Sequence, residues 1–124
     1  MTTNMRLLIE AGVAVVTVVF LSSCSVRHGD FTVLSDKLVR TSDFDLSKAD
    51  RKTNITGEDV AHIIILFPTG APTLKGAMDD AFRKGNGDVL TDAVVSTWFW
   101  YIPYIYGQAG WRVTGDVVNT RGEK

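Results

Sequence analysis

The chain has 124 residues, of which 45% are hydrophobic and 22% are charged, and these proportions fit one small globular domain. The formal net charge is −1, so no global basic field is present to bind nucleic acid. A single cysteine, Cys24, excludes an intrachain disulfide and a cysteine-rich zinc site, and the length excludes a multidomain enzyme.

Residues 1–23 are predicted to be a signal peptide that is removed from the mature chain. The apolar run AGVAVVTVVFL starts at Ala11, and it is too short for a membrane-spanning helix but typical of the apolar core of a signal peptide. Translation from Met1 or from Met5 is compatible with this pattern. A plain anchor helix followed by an incidental cysteine is the alternative.

A bacterial lipobox ends this segment. Leu21, Ser22 and Ser23 are one apolar and two small residues that admit the signal peptidase, and the thiol of Cys24 then receives a diacylglyceryl group. Two or more acyl chains hold a protein stably on a bilayer, so the sequence predicts a lipid anchor at Cys24. Ser25 follows instead of an aspartate, which favours export to the outer membrane of a Gram-negative cell.

The first part of the mature chain is predicted to hold a tether and two strands. Residues 24–30 are expected to be a short lipidated tether, and residues 31–40 mix β-branched and polar residues in the manner of a strand. Residues 41–59 are a polar excursion. A second strand is expected near Ser47–Asn54, because a structureless loop of this length is unusual in a small domain.

The middle of the chain predicts a buried strand followed by a helix. Residues 60–67 (VAHIIILF) are nearly all apolar, as expected for a central strand. Thr73 is the predicted N-cap of a helix over residues 73–84, whose other face, with Asp79 and Asp80, is expected to be solvated. Apolar residues recur on one face of this helix at helical spacing: Leu74, Ala77, Met78, Ala81 and Phe82.

The C-terminal part predicts two long strands. Residues 89–102 form a β-rich run that Pro103 kinks or ends, and residues 104–106 are expected to continue it. The glycines of residues 107–110 predict the turn of an antiparallel hairpin, and residues 111–118 are its second strand.

Together these elements predict an α+β fold with one domain over residues 31–120 and a solvated tail at residues 121–124. The amphipathic helix (about 73–84) is expected to pack on one face of a mostly antiparallel sheet of about four to five strands.

The most unusual feature is the aromatic stretch WFWYIPYIY at residues 98–106. Side chains alternate along a strand, so Trp98 and Trp100 are expected on one face and Phe99 and Tyr101 on the other. One face is expected to pack on the helix, and the polar excursion, a partner or the lipid interface covers the other. Ordinary cross-strand packing explains each residue equally well. The candidate contact residues are Trp98, Phe99, Trp100, Tyr101, Tyr104 and Tyr106.

Three other candidate sites are weaker. The loop at residues 68–73 leads a strand into a helix and can offer backbone N–H groups to an anion, but it lacks a phosphate-binding pattern and contains two prolines. His28 and Asp30 offer two metal ligands without a third at a suitable spacing, and His62 is expected to be a packed histidine of the sheet. No nucleophile motif is present, so neither enzymatic activity nor a cofactor is expected.

From about Phe31 to Val118, the order of motifs resembles the TRL-like family of small bacterial lipoproteins. The resemblance is carried by the lipobox, the strand HIIILFP, the loop and helix PTGAPTLKGAMDDAF, Asp88 in the following turn, and the final strand GWRVTGDVV with its V-x-G-x-V pattern at residues 113–117. The family has no established activity, so the resemblance implies a fold and a location.

The sequence therefore predicts a non-enzymatic lipoprotein of the outer membrane that faces the periplasm. Its expected partners are the membrane, through lipidated Cys24, and an unidentified envelope protein or a second copy of itself, but no nucleic acid. The alternative is a periplasmic domain that binds a small ligand, an anion or a metal.

Overall fold

The described part of the chain forms two helices and five strands. The computed structural model describes residues 2–20, 24–38, 40, 42, 45 and 49–121. In chain order, its elements are α1 (Thr2–Phe20), β1 (Cys24–Leu34), β2 (Asp50–Ile64), β3 (Phe67–Pro68), α2 (Leu74–Gly85), β4 (Val89–Ile102) and β5 (Tyr106–Asn119). The predicted peptidase-recognition residues, Leu21, Ser22 and Ser23, lie outside the described residues, as does the tail beyond Arg121.

All five strands belong to one open antiparallel sheet, in the order β1-β4-β5-β2-β3. β4 and β5 form a long hairpin in which Val89 lies opposite Val118 and Ile102 lies opposite Tyr106. This confirms the small, mostly antiparallel sheet of about four to five strands. The number of helices differs, because residues 2–20 are helical in addition to α2. Among the described residues, neither helix is long and apolar enough to cross a membrane.

The predicted amphipathic helix is confirmed as α2. Its N-cap is Thr73, whose hydroxyl accepts a hydrogen bond from the N–H of Gly76 at 3.0 Å, and its C-cap is Asn86 at φ 55°. The buried face of α2 packs on β2 and β5. The core that it closes consists of Ala77, Met78, Ala81, Leu90, Ala93, Val95, Val113 and Val117.

The predicted turn at residues 107–110 is wrong. The β4–β5 turn lies at residues 103–105, and residues 107–110 belong to β5. Gly107 and Gly110 serve close packing and not a turn, because a Cβ at Gly107 would lie 2.6 Å from the Tyr101 ring and one at Gly110 would lie 3.0 Å from Nε1 of Trp98. Neither glycine has a positive φ.

The N-terminal half also differs from the prediction. Residues 24–30, predicted as a tether, are part of β1, and the strand predicted for residues 31–40 ends at Leu34. One strand, β2, covers the second half of the polar excursion and most of the predicted buried strand. The apolar run at residues 60–67 is not one central strand, because the chain turns at Ile65 and returns as β3 at the edge of the sheet. Ser47 lies outside the described residues.

Candidate partner-binding surface

Helix α2 is too short to cover the sheet on which it packs. It has 12 residues and is about 18 Å long, whereas β4 and β5 have 14 residues each and span about 46 Å. Its first turn lies beside Asp59 and its last residue packs on Val117. The end of the sheet that carries the β4–β5 turn therefore extends beyond the helix.

An apolar groove of about 380 Å³ lies in this area, beside the edge strand β1. The antiparallel register places Cys24 opposite Phe99, Val26 opposite Thr97, and Thr97 opposite Trp111. The side chains of Val26 and Phe99 are 49% and 46% exposed. The groove is lined by Cys24, Val26, Pro72, Thr97, Trp98, Phe99, Ala109, Gly110 and Trp111.

His28 takes part in the aromatic packing next to the groove. Its ring stacks on Trp111 with 5.1 Å between the centroids, and its Nε2 is 2.8 Å from the hydroxyl of Thr97. Asp30, the other proposed metal ligand, pairs with Arg27 instead. Among the described residues, no group of three or more His, Cys, Asp or Glu side chains could hold a metal ion.

The aromatic stretch at residues 98–106 is divided among three locations. Phe99 and Tyr101 lie on the face that carries α2, with 6.5 Å between their ring centroids. Tyr104 lies in the turn and is 77% exposed. Trp98, Trp100 and Tyr106 lie on the other face. The predicted alternation along β4 is therefore correct, but the six aromatic residues do not form one patch. The expected packing of one aromatic face on α2 is wrong, because the core that α2 closes contains none of residues 98–106.

On the face away from α2, Trp100 and Tyr106 belong to a network with His62 and Gln108. Trp100 meets Tyr106 edge-on with 5.6 Å between the centroids. The Tyr106 hydroxyl hydrogen-bonds with the ring of His62 and accepts from Nε2 of Gln108 at 2.9 Å. His62 is exposed, so it is a histidine of the sheet face and not of the core. The polar groups of Tyr106, His62 and Gln108 therefore satisfy one another, whereas Nε1 of Trp98 on the same face is buried without a hydrogen-bond partner among the described residues.

The anion site considered at residues 68–73 is occupied by a side chain of the protein. The carboxylate of Asp59 on β2 accepts hydrogen bonds from the N–H of Thr73 at 2.9 Å and from its hydroxyl at 3.2 Å. A Cβ at Gly76 would lie 2.1 Å from the same carboxylate, so the glycine makes room for it. This carboxylate compensates the positive end of the helix dipole without an external ligand.

Asp80 holds α2 to the sheet. The prediction that it lies on a solvated face of the helix is therefore wrong. Its side chain is 14% exposed, and it accepts a hydrogen bond from the N–H of Glu58 and pairs with Lys84 and Arg83. Burial raises the pKa of Asp80, but these hydrogen bonds and charges outweigh it and lower the pKa overall. The sequence indicates this position, because residues three apart are neighbours on one face of a helix and Asp80 lies three residues after the buried Ala77.

A second pocket lies at the opposite end of the sheet. Its volume is about 180 Å³, below the 300 Å³ or so that is typical of small-molecule sites. It is lined by Phe82, Asn86, Gly87, Asn119 and Arg121. The groove beside β1 is therefore the better candidate for binding.

Comparison with known proteins gives no match to a family model, to a curated protein or to a solved structure. The TRL-like resemblance therefore remains a prediction that the quoted motifs carry.

Proposed function

We propose that the protein is a lipid-anchored, non-enzymatic lipoprotein of the TRL-like type. In this proposal Cys24 attaches it to the outer membrane on the periplasmic side, and the domain binds an envelope protein along β1 and the adjoining groove. The observation that carries the proposal is the 380 Å³ apolar groove at the edge of the sheet, whose lining includes Cys24.

The edge position of β1 supports a protein partner. An edge strand presents backbone N–H and C=O groups that can pair with an added strand, and pockets beside the edge can then select its side chains. β1 has 11 residues and pairs with β4 on one side in the described sheet. Exposed aromatic and aliphatic side chains such as Phe99 and Val26 are the kind that anchor protein interfaces.

The position of Cys24 supports the lipid anchor. Cys24 is exposed and is the first residue of β1, so a chain cleaved before it would begin directly at the sheet. The alternative function, anion binding at residues 68–73, is disfavoured because Asp59 already accepts the hydrogen bonds of Thr73 there.

The anchor is tested by fatty-acid labelling of cells that express the wild type or Cys24→Ala, followed by membrane fractionation. We expect label on the wild type in the outer-membrane fraction and none on Cys24→Ala, because the thiol is the acylated atom. Label on both chains, or on neither, would contradict the anchor.

The partner surface is tested by photocrosslinking in cells from a photoreactive amino acid at Val26. We expect a protein adduct that Phe99→Ala abolishes, because Phe99 supplies exposed apolar area in the groove. Phe31→Ala is the matched control, since Phe31 is an exposed phenylalanine of β1 that does not line the groove. Adducts of equal yield in Phe99→Ala and Phe31→Ala would show that the groove is not part of the interface.

A further inference from the structure

One end of the sheet is formed by two neighbouring turns with exposed apolar side chains. The turns lie at residues 65–66 and 103–105, and we call residues 64–67 and 103–105 the apolar tip. Six large side chains of the tip are each at least half exposed: Ile64, Ile65, Leu66, Phe67, Tyr104 and Ile105. An exposed apolar cluster of this kind marks a contact surface.

The backbone of the tip is hydrogen-bonded within the protein. The N–H of Ile65 donates to the carbonyl of Ile105 at 3.2 Å, and the Tyr101 hydroxyl donates to the carbonyl of Ile65. The N–H of Tyr104 in turn donates to the Tyr101 hydroxyl at 3.3 Å. Backbone groups that are paired in this way can leave water at much lower cost, which a turn needs if it is to enter a lipid phase.

Two residues of the tip adopt a backbone conformation that favours smaller residues. Ile65 has φ 61° and Tyr104 has φ 62°. Gly or Asn is the usual choice at such a position, and a β-branched isoleucine is strained there. The choice of large apolar side chains over relaxed turn residues indicates that the side chains themselves are needed.

The two ends of the sheet differ sharply in charge. The sequence has no charged residue at positions 63–68 or 102–106. The far end lies about 46 Å away along β5, and several charged side chains lie there: Arg83, Lys84, Asp88 and Arg121. Charged groups are costly in a bilayer, whereas tyrosine and apolar residues are favoured at its interface, so this polarity fits a lipid surface at the tip.

The chain also enters the sheet at the tip end. Because β1 is antiparallel to β4, Cys24 lies opposite Phe99, three residues before Ile102 at the end of β4. Three residues of strand span about 10 Å. A lipid on Cys24 would therefore place the tip at the surface of the same bilayer.

We propose that the apolar tip inserts into the interfacial layer of the membrane leaflet that holds the N-terminus of the domain. The proposal rests on the proposed function in taking Cys24 as the point of attachment. The lipid and the tip are then two contacts at one end of the sheet, and together they fix the domain with its far end directed away from the bilayer. A second membrane contact beside a lipid anchor holds a protein on the bilayer more firmly than the lipid alone.

The test uses the full chain, purified and reconstituted into vesicles of phosphatidylethanolamine and phosphatidylglycerol, with and without bromine on the acyl chains. A dye is attached through Leu66→Cys at the tip or through Arg83→Cys at the far end, where the Arg83 side chain is 80% exposed. The unsubstituted chain reports any dye on Cys24. Bromine quenches a dye that touches acyl chains, so we expect Leu66→Cys to lose most of its emission and Arg83→Cys to keep it.

Ile65→Asn, added to the Leu66→Cys chain, separates contact from folding. Asparagine accepts a positive φ more readily than isoleucine, so we expect the urea midpoint of unfolding to stay equal or rise while the quenching falls. A lower midpoint with unchanged quenching would show that Ile65 serves the fold and would overturn its role in the contact.

Equal emission of the Leu66→Cys dye in both kinds of vesicle overturns the proposal, and energy transfer between labelled copies would then assign the tip to a second copy of the chain. Fatty-acid label on Cys24 is scored in the same preparation. Fatty-acid label without quenching of the dye would exclude membrane contact by the tip but support the lipid anchor. Quenching of the dye without fatty-acid label would exclude the lipid anchor but support membrane contact by the tip.

Discussion

Replacing Gly57 with alanine is expected to destabilise the domain by about 3 kcal/mol or more. A Cβ at Gly57 would lie 2.1 Å from the carbonyl oxygen of Ala77 and 2.4 Å from the amide nitrogen of Ala81. Both atoms belong to the backbone of α2, so neither can move without the helix. The helix would have to shift away from β2, which would loosen the contacts of Met78 and Leu90 in the core.

Gly70→Ala is the matched control, because a Cβ at Gly70 meets no atom within 4 Å. Both substitutions restrict the unfolded chain similarly, so their difference reports the packing of α2 on β2. Urea unfolding monitored by circular dichroism measures both variants, and we expect only Gly57→Ala to unfold at a much lower urea concentration. The same midpoint in the two variants would mean that α2 does not pack this closely.

Sequence reasoning was most successful where the structure follows from local pattern. Helix α2 was predicted to within one residue, because its cap at Thr73 and its apolar face at helical spacing are both local signals. The first residue of β4 was predicted, since the glycine-rich turn at residues 85–88 precedes it, but the expected continuation through residues 104–106 is wrong, because the chain turns at residues 103–105 and Tyr106 begins β5. These features do not depend on which strands are neighbours.

The errors arose where a residue serves a contact with a distant part of the chain. Gly107 and Gly110 are turn residues by composition, but they give room to Tyr101 and Trp98 across the hairpin. The polar residues 41–59 predict a loop that holds a short strand near Ser47–Asn54, yet pairing with β5 makes residues 50–59 part of one 15-residue strand. Tertiary context outweighs local propensity in both cases.

The candidate surface was predicted only in part. Cys24 and Phe99 were both singled out, but their pairing depends on the register of β1 against β4, which no local pattern reveals. The length of α2 relative to the strands decides which aromatic residues stay uncovered. The hydrogen bond from Thr73 to the Asp59 carboxylate was not predicted. The two residues are 14 positions apart, and no local pattern places Asp59 beside the N-terminus of α2.

Asp88→Ala is expected to lower the free energy of unfolding by about 3 kcal/mol at neutral pH. Oδ1 of Asp88 accepts a hydrogen bond from the N–H of Thr120 at 2.9 Å, and Oδ2 accepts one from its hydroxyl at 2.8 Å. Thr120 is buried, so removal of the carboxylate leaves two buried donors without this acceptor. Asp30→Ala is the control, since the Asp30 side chain is 65% exposed, and we expect its effect to be small.

The same carboxylate makes the stability of the wild type depend on pH. Burial raises the pKa of Asp88, but the N–H and hydroxyl of Thr120, with the charges of Arg121 and Lys37, outweigh it and lower the pKa overall. The unfolded chain, with a pKa of about 3.9, therefore binds this proton first on acidification. The stabilisation is complete above that pKa and is lost as the pH falls through the lower folded-state pKa. Urea midpoints measured from about pH 6 to pH 2 should thus decline less steeply in Asp88→Ala than in the wild type or Asp30→Ala. Parallel curves would show that the carboxylate of Asp88 is not stabilised by folding.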